Sequence, residues 1–451
     1  MLKVKKMIIF LFGFSVMGYS QEKNVISLSL RQCVQMAVEE NINMKTARMD
    51  AEKNLHRKAE AISALIPKVS MGGSFQDNFR LQVVPLSLDM EGMQMNGEVK
   101  LGRKFSTSAA VTLNWALYNQ TALTAVQLVK KVTELHDLGI EKAGEVLSAE
   151  VAKLYFLAVT TAQQKELIEE NIARIKKAGD ITKTLVDNGM ARQSDYDRVC
   201  VNLENMYTQL SNVETGLEQQ HSMIKYMLNI PLSTTLVLTD TSEMQLLNQA
   251  PVTPSDYFNH IDVRLLASQQ EMNIINQRMI KSGYSPSLFL MGQFAVQGTR
   301  TEFNNYFNSS LENKWYNSSY IGIGFSIPVF DGFEKRSKSR QANMEILKTE
   351  ALIVDKQERF TADFQTAFNH YRNNMENLER QKQNIELAEK VYDETALKYR
   401  EGMATMTDLL QDEMGLNNAQ ANYLNALYKF KEAELEIMSL NGEIKNLIHN
   451  L

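Results

Sequence analysis

The sequence predicts a mainly α-helical protein that carries membrane-type β-strands and is written twice. Three observations point there. Two very long stretches contain no proline. Four short segments alternate large apolar with small or polar residues. A set of matched segments recurs at an offset of 212 to 219 residues.

The chain begins with Lys3, Lys5 and Lys6, an apolar run from Met7 to Met17, and the small residues Gly18 and Ser20 around Tyr19. This is the pattern of a secretory signal peptide cleaved before Gln21. The run is shorter than the roughly 20 residues that span a bilayer as a helix. Removing residues 1–20 takes the formal charge from −5 to −8. A chain of 451 residues exceeds what one globular core usually holds, about 250–300 residues. The two cysteines, Cys33 and Cys200, are too few for a disulfide framework and read as small buried residues.

The repeat has the same order in both halves. Asn41-Ile42 recurs at His260-Ile261, and Ser63 to Pro67 at Ser282 to Pro286. Trp115 to Asn119 corresponds to Ile327 to Asp331, Gly189 to Asp195 to Gly402 to Asp408, and Leu228-Asn229 to Leu440-Asn441. The domain reading that follows is 21–229 as a first repeat, 230–255 as a linker, and 256–451 as a second repeat. Each repeat runs helix, strand, loop, strand, long helix, turn, helix.

The strands come next. Val69, Met71 and Phe75 alternate with Ser70, Gly72, Ser74 and Gln76, and Val111, Leu113, Trp115 and Leu117 with Thr112, Asn114 and Ala116. Ile321 to Ile327 sets large residues against Gly322, Gly324 and Ser326, and Leu288 to Gln297 alternates less cleanly. Such segments of about 10 residues suit a membrane barrel. A soluble sandwich would alternate too, but usually needs about seven strands. Phe79 to Ser106 and Gly298 to Ser319 read as long polar loops inside each strand pair.

Thr121 to Asn188 and Lys335 to Glu401 read as long helices. Between Phe360 and Tyr399 the apolar residues recur about every 3.5 positions, the coiled-coil period. Each helix stops at a glycine, Gly189 or Gly402, because a C′ glycine accepts the left-handed conformation. Ser194 or Asp195, and Thr407 or Asp408, then read as caps of the returning helices.

The acidic balance argues against nucleic acid. The six histidines are scattered, no phosphate loop opens a helix, and Ser, Asp and Glu do not cluster. No enzyme, cofactor or metal reading follows.

With these residues in view, the chain resembles the TolC outer-membrane efflux family. Leu28 to Asn41 is similar to its opening helix, Ile327 to Gly332 to the entry of its last strand into a long helix, and the two Gly-Met-Ala turns to its periplasmic tips. The resemblance implies a homotrimer whose four strands per chain close a twelve-stranded barrel in outer-membrane lipid, continued by a helical periplasmic tunnel. It implies a passive export channel working with a periplasmic adaptor protein and an inner-membrane pump. Aperture residues implied are Asp195, Tyr399 and Asp408, with Gln411 and Asp412 where a further family Asp stands. Asp195 and Tyr399 match a family hydrogen bond between the tips. The family's arginine is replaced by Ala404, and its second glycine after the last strand by Phe333. The turns Gly189, Met190, Ala191 and Gly402, Met403, Ala404 match the place where an adaptor hairpin docks. Lys335, Arg336, Lys338 and Arg340 open the long helix and can line the tunnel or meet anionic headgroups. The competing reading is a soluble periplasmic coiled-coil adaptor or scaffold.

Overall fold

The computed structural model describes residues 25–90, 93–239, 260–307 and 314–444, without the side chains of 86–90 and 93–96. The signal-peptide reading of 1–20 and most of the 230–255 linker lie outside the described residues. Seven α-helices and eight β-strands are described: β1 (Val25–Leu28), α1 (Leu30–Glu40), α2 (Ile42–Ser63), β2 (Lys68–Asp77), β3 (Gln82–Met90), β4 (Met93–Leu101), β5 (Phe105–Asn119), α3 (Gln120–Asp187), α4 (Gln193–Met227), β6 (Thr235–Leu238), α5 (Ile261–Ser282), β7 (Ser287–Arg300), β8 (Tyr316–Ser326), α6 (Glu334–Arg400) and α7 (Met406–Leu440). No described helix is long and apolar enough to cross a membrane. Helices α2, α3 and α4 have 22, 68 and 35 residues, and α5, α6 and α7 have 22, 67 and 35.

The chain divides into two compact units. The first combines Met1–Met44, Gly144–Pro254 and Asp363–Leu451. Its main core packs Cys33, Val34 and Ala37 of α1 with Val151, Tyr155, Phe156 and Val159 of α3, Ile224 of α4 and Leu435 of α7. Ser29 starts α1 with a capping box, its backbone N–H donating to Gln32 Oε1 at 2.9 Å. The parallel pair β1–β6 buries Leu28, Leu236 and Leu238 on this core. Cys33 is buried and Cys200 half-buried, and neither is in a disulfide.

The second unit combines Lys45–Ala143 and Ser255–Ala362. Its centre is an antiparallel sheet in the order β2-β5-β7-β8. The four expected strands are therefore the four strands of one sheet. One expectation fails: the segment read as a loop from Phe79 to Ser106 contains the hairpin β3–β4, paired from Gln82 with Leu101 to Met90 with Met93. Alternating residues keep it extended despite Pro85, which a hairpin with two free edges tolerates. The helices below the sheet are joined by polar contacts. Asp262 of α5 lies 2.6 Å from both Lys142 of α3 and Lys356 of α6. Thr124 and Ser282 hydroxyls meet at 3.2 Å, and Asn273 donates to Thr349 Oγ1 at 2.9 Å.

Candidate functional site

The sheet has two chemically different faces, because successive residues of a strand point to opposite sides. One face carries Val69, Met71 and Phe75 of β2, Val111, Leu113 and Trp115 of β5, Leu288, Leu290 and Phe294 of β7, and Ile321, Ile323 and Phe325 of β8. Many of these side chains are open to the surroundings although they are large and apolar. The other face is polar or small apart from Phe289, Met291 and Tyr320. There Ser70 and Thr112 hydroxyls meet at 2.7 Å, Ser74 and Ser108 at 2.9 Å, and Tyr320 donates to Gln293 Oε1 at 3.2 Å. Gly324 belongs to this face, where any Cβ would overlap the ring of Phe289. The outer edges of β2 and β8 have no strand partner among the described residues.

The end of the sheet opposite the helices is packed with rings. Phe75, Phe105, Phe303 and Tyr306 lie 5.8–6.1 Å apart. The buried Arg300 guanidinium lies over Tyr306 and Trp315 at 5.1 and 5.5 Å. At the helical end, the chain leaves β8 through Gly332 and Phe333, both with positive φ, +64° and +65°. For Phe333 that conformation costs about 1–2 kcal/mol, since its Cβ crowds the carbonyl.

The tips of the helical hairpins belong to the first unit. Both end their long helix in the same way. Met190 N–H donates to Leu185 O at 2.7 Å and Gly189 N–H to Val186 O at 2.9 Å. Met403 donates to Lys398 O at 2.8 Å and Gly402 to Tyr399 O at 3.1 Å. These are Schellman closures, and they need the left-handed glycines at φ +71° and +74°. Met190 and Met403 are 75% and 68% exposed, and Ala191 and Ala404 half-buried beside them.

The returning helices start differently. Thr405, not Thr407 or Asp408, caps α7, and Asp408 closes a capping box by accepting from the Thr405 N–H at 3.0 Å. These bonds from Thr405 hold the Asp408 carboxyl below its ordinary range. In α4 the cap position falls on Arg192, which makes no side-chain cap bond. The expectation of Ser194 or Asp195 as cap is thus corrected, because the helix begins at Gln193 and both residues lie inside its first turn. Tyr399 and Asp195 are also not joined within the chain. Tyr399 packs in a core with Ala178 of α3, and its hydroxyl pairs with the buried Thr182 of α3 at 3.0 Å. The tips are linked instead by Arg198, which donates to Thr407 Oγ1 at 2.7 Å. Gln411 is exposed and Asp412 half-buried on α7.

Sequence reasoning missed one cluster in this unit. Glu413 of α7 is 2% exposed. Arg174 Nε approaches it to 3.6 Å, and Tyr392 hydrogen-bonds it. The Arg174 guanidinium also lies 5.6 Å from the centre of the Tyr392 ring. Asn171 donates to Gln420 Oε1 at 3.1 Å, and its amide meets Asn417 and Arg174 as well. Burial pushes the Glu413 carboxyl up, against the opposing pull of Arg174. Burial and the neighbouring Glu413 charge push the Tyr392 hydroxyl up to about 12. A second buried pair, Lys431 and Glu434 at 3.0 Å, sits against the Phe156 and Phe430 rings.

No group of His, Cys, Asp or Glu among the described residues is arranged to hold a metal. What the geometry offers is a two-faced sheet with open edges and two long hairpins with exposed methionine tips. Comparison with known proteins gives the same answer. Residues 276–443 match the outer membrane efflux protein family. The outer membrane protein TolC of Escherichia coli strain K12 is 20% identical over 98% of this chain and 87% of its own length. Over nearly its whole length the chain is thus similar to outer membrane efflux proteins. The TolC-like fold is equally clear in solved structures. The CmeC outer membrane channel of Campylobacter jejuni superposes with a TM-score of 0.70 at 14% identity, covering 94% of this chain and 89% of that one. The open-state MtrE outer membrane channel of Neisseria gonorrhoeae gives 0.70 at 15% identity, covering 92% and 89%. The two solved channels therefore share their fold with this chain.

Proposed function

We propose that the chain is one protomer of a passive exit duct, in which three copies close a twelve-stranded barrel and their helices form a periplasmic tunnel. The observation that carries this is the sheet β2-β5-β7-β8. Its strands of 10, 15, 14 and 11 residues are long enough to cross a bilayer. Its apolar face suits lipid and its hydroxyl-lined face suits water. Its two bare edges are costly in isolation and are satisfied when β8 of one copy pairs with β2 of the next.

The tips then carry the gate and the docking surface. Three Asp408 carboxylates brought round one axis, with Asp195, Gln411, Asp412 and Tyr399 nearby, repel one another and favour either a bound cation or an open aperture. The exposed turns Gly189-Met190-Ala191 and Gly402-Met403-Ala404 supply flexible methionines for a periplasmic adaptor hairpin. An inner-membrane pump supplies the energy. The sequence reading of two repeats, 21–229 and 256–451, fits the matched helix lengths.

The test is electrical and structural together. Detergent-extracted protein should appear as three-fold particles by negative-stain microscopy and conduct in planar bilayers. Asp408→Ala should raise single-channel conductance. Water-soluble monomers or rods that need no detergent and do not conduct would favour the coiled-coil adaptor or scaffold.

A further inference from the structure

Ile321, Ile323, Phe325, Ile327 and Val329 lie on the apolar side of β8 and of the segment that follows it, all exposed. The stripe does not stop at the last strand residue. Val329 is 94% exposed, and Phe330 and Phe333 follow it edge-to-face with centroids 5.5 Å apart. These rings form one wall of a groove of about 440 Å³, and the other wall carries Lys281, Lys335, Arg336 and Arg340.

The cations are not all spent internally. Lys335 is held by Asp331 at 3.4 Å and lies over the Tyr284 ring at 5.2 Å. Lys338 is held by Glu334. Arg336 and Arg340 are exposed and have no carboxylate partner among the described residues. The corresponding junction of the first repeat, Tyr118 to Val129, contains no charged residue. The groove is therefore particular to the second junction.

Phe333 adds an independent observation. It keeps an aromatic ring in a left-handed conformation that a glycine would adopt without strain, and 59% of that residue is exposed. Core packing does not account for it. An aromatic body beside a cationic head is what a membrane interface selects.

We propose that this groove holds an anionic phospholipid of the leaflet at the helical end of the barrel. Arg336 and Arg340 pair with its phosphate, and Phe330 and Phe333 cover its glycerol and upper acyl region. The proposal rests on the barrel reading above. Arginine suits the role because its planar fork binds phosphate through two parallel hydrogen bonds.

The test uses the full purified protein, loaded with mixed phosphatidylglycerol and phosphatidylcholine micelles and examined by native mass spectrometry. Wild type should retain phosphatidylglycerol preferentially. R336Q/R340Q should lose that preference, by about fivefold for each arginine and roughly 25-fold together. F333G should melt no lower than wild type and yet retain less lipid. A purely structural Phe333 would leave retention unchanged. Planar bilayers of phosphatidylcholine separate the two layers of the argument. Channels that form there without any phosphatidylglycerol preference in the retention assay overturn this proposal alone. Protein that neither needs detergent nor conducts overturns the barrel reading and this proposal with it.

Discussion

Each of the two units holds a carboxylate bonded between its helices, half-buried Asp262 in one and buried Glu413 in the other, and the two are shifted in opposite directions. Asp262 is also penalised by burial, but ammonium groups at 2.6 Å from Lys142 and Lys356 outweigh it and pull the carboxyl down to about 2. Glu413 has one cation, Arg174, at 3.6 Å, and there burial wins. The number and closeness of the cations decides the sign. A charge taken out of water is stable only when nearby groups replace the lost hydration. In one unit the carboxylate ties three helices as an ion clamp. In the other it is a polar knot inside a coiled coil, on a helix whose neighbours along the same face are leucines.

The largest way to break this comparison is Glu413→Ala. It leaves Arg174 and Tyr392 facing a cavity and should lower stability by about 3 kcal/mol, read as a fall in the denaturation midpoint of the detergent-solubilised protein. Glu413→Gln, which keeps the shape and removes the charge, should retain most of that stability. Equal losses for the two variants would mean that the charge itself matters.

Asp262→Asn comes next, at about 1–2 kcal/mol, because the lysines around it are partly open to solvent and screened. The pH dependence sharpens the contrast. The Glu413 carboxyl is raised above its ordinary 4.5, so its contribution is fully present below that value and is lost as pH rises through the raised one. Asp262 is depressed from 3.8 to about 2, so its contribution is present above 3.8 and lost as pH falls towards 2. Melting curves between pH 3 and 7 should show Glu413→Gln flattening the loss on the rising side. Asp262→Asn should flatten the loss on the acid side. Identical pH profiles for both variants would remove the distinction.

The smallest effect concerns the tips. Thr405→Ala should cost about 1 kcal/mol by removing the cap of α7, and Arg192→Ser should gain a comparable amount by giving α4 the cap it lacks. Amide exchange in the first turn of each helix measures both. Opposite signs are required.

Much of this architecture was legible beforehand. The strands of the four-stranded sheet announced themselves by alternation at Val69 to Gln76 and Ile321 to Ile327, and the helix ends by Gly189 and Gly402. Strand pairs of another kind were not. In β3–β4 the first strand contains Pro85, a residue that interrupts strand pairing, while β1 and β6 have four residues each and meet across some 200 positions of chain. The start of α4 was missed because Arg192 has none of the short polar chemistry of a cap. Glu413 was not singled out, since a glutamate beside Asp412 carries no signal of burial by itself. Its periodicity told otherwise: Leu409, Glu413, Leu416, Gln420 and Leu424 share one face of α7, and all five are buried.

In the barrel reading, the edges of β2 and β8 that lack a strand partner among the described residues make the sheet a task no single copy completes. A newly exported chain carries two adhesive borders and an oily surface, and both are hazards until two siblings arrive. In that reading maturation depends on how often three copies meet, because open strand edges are templates for misjoining until they are paired.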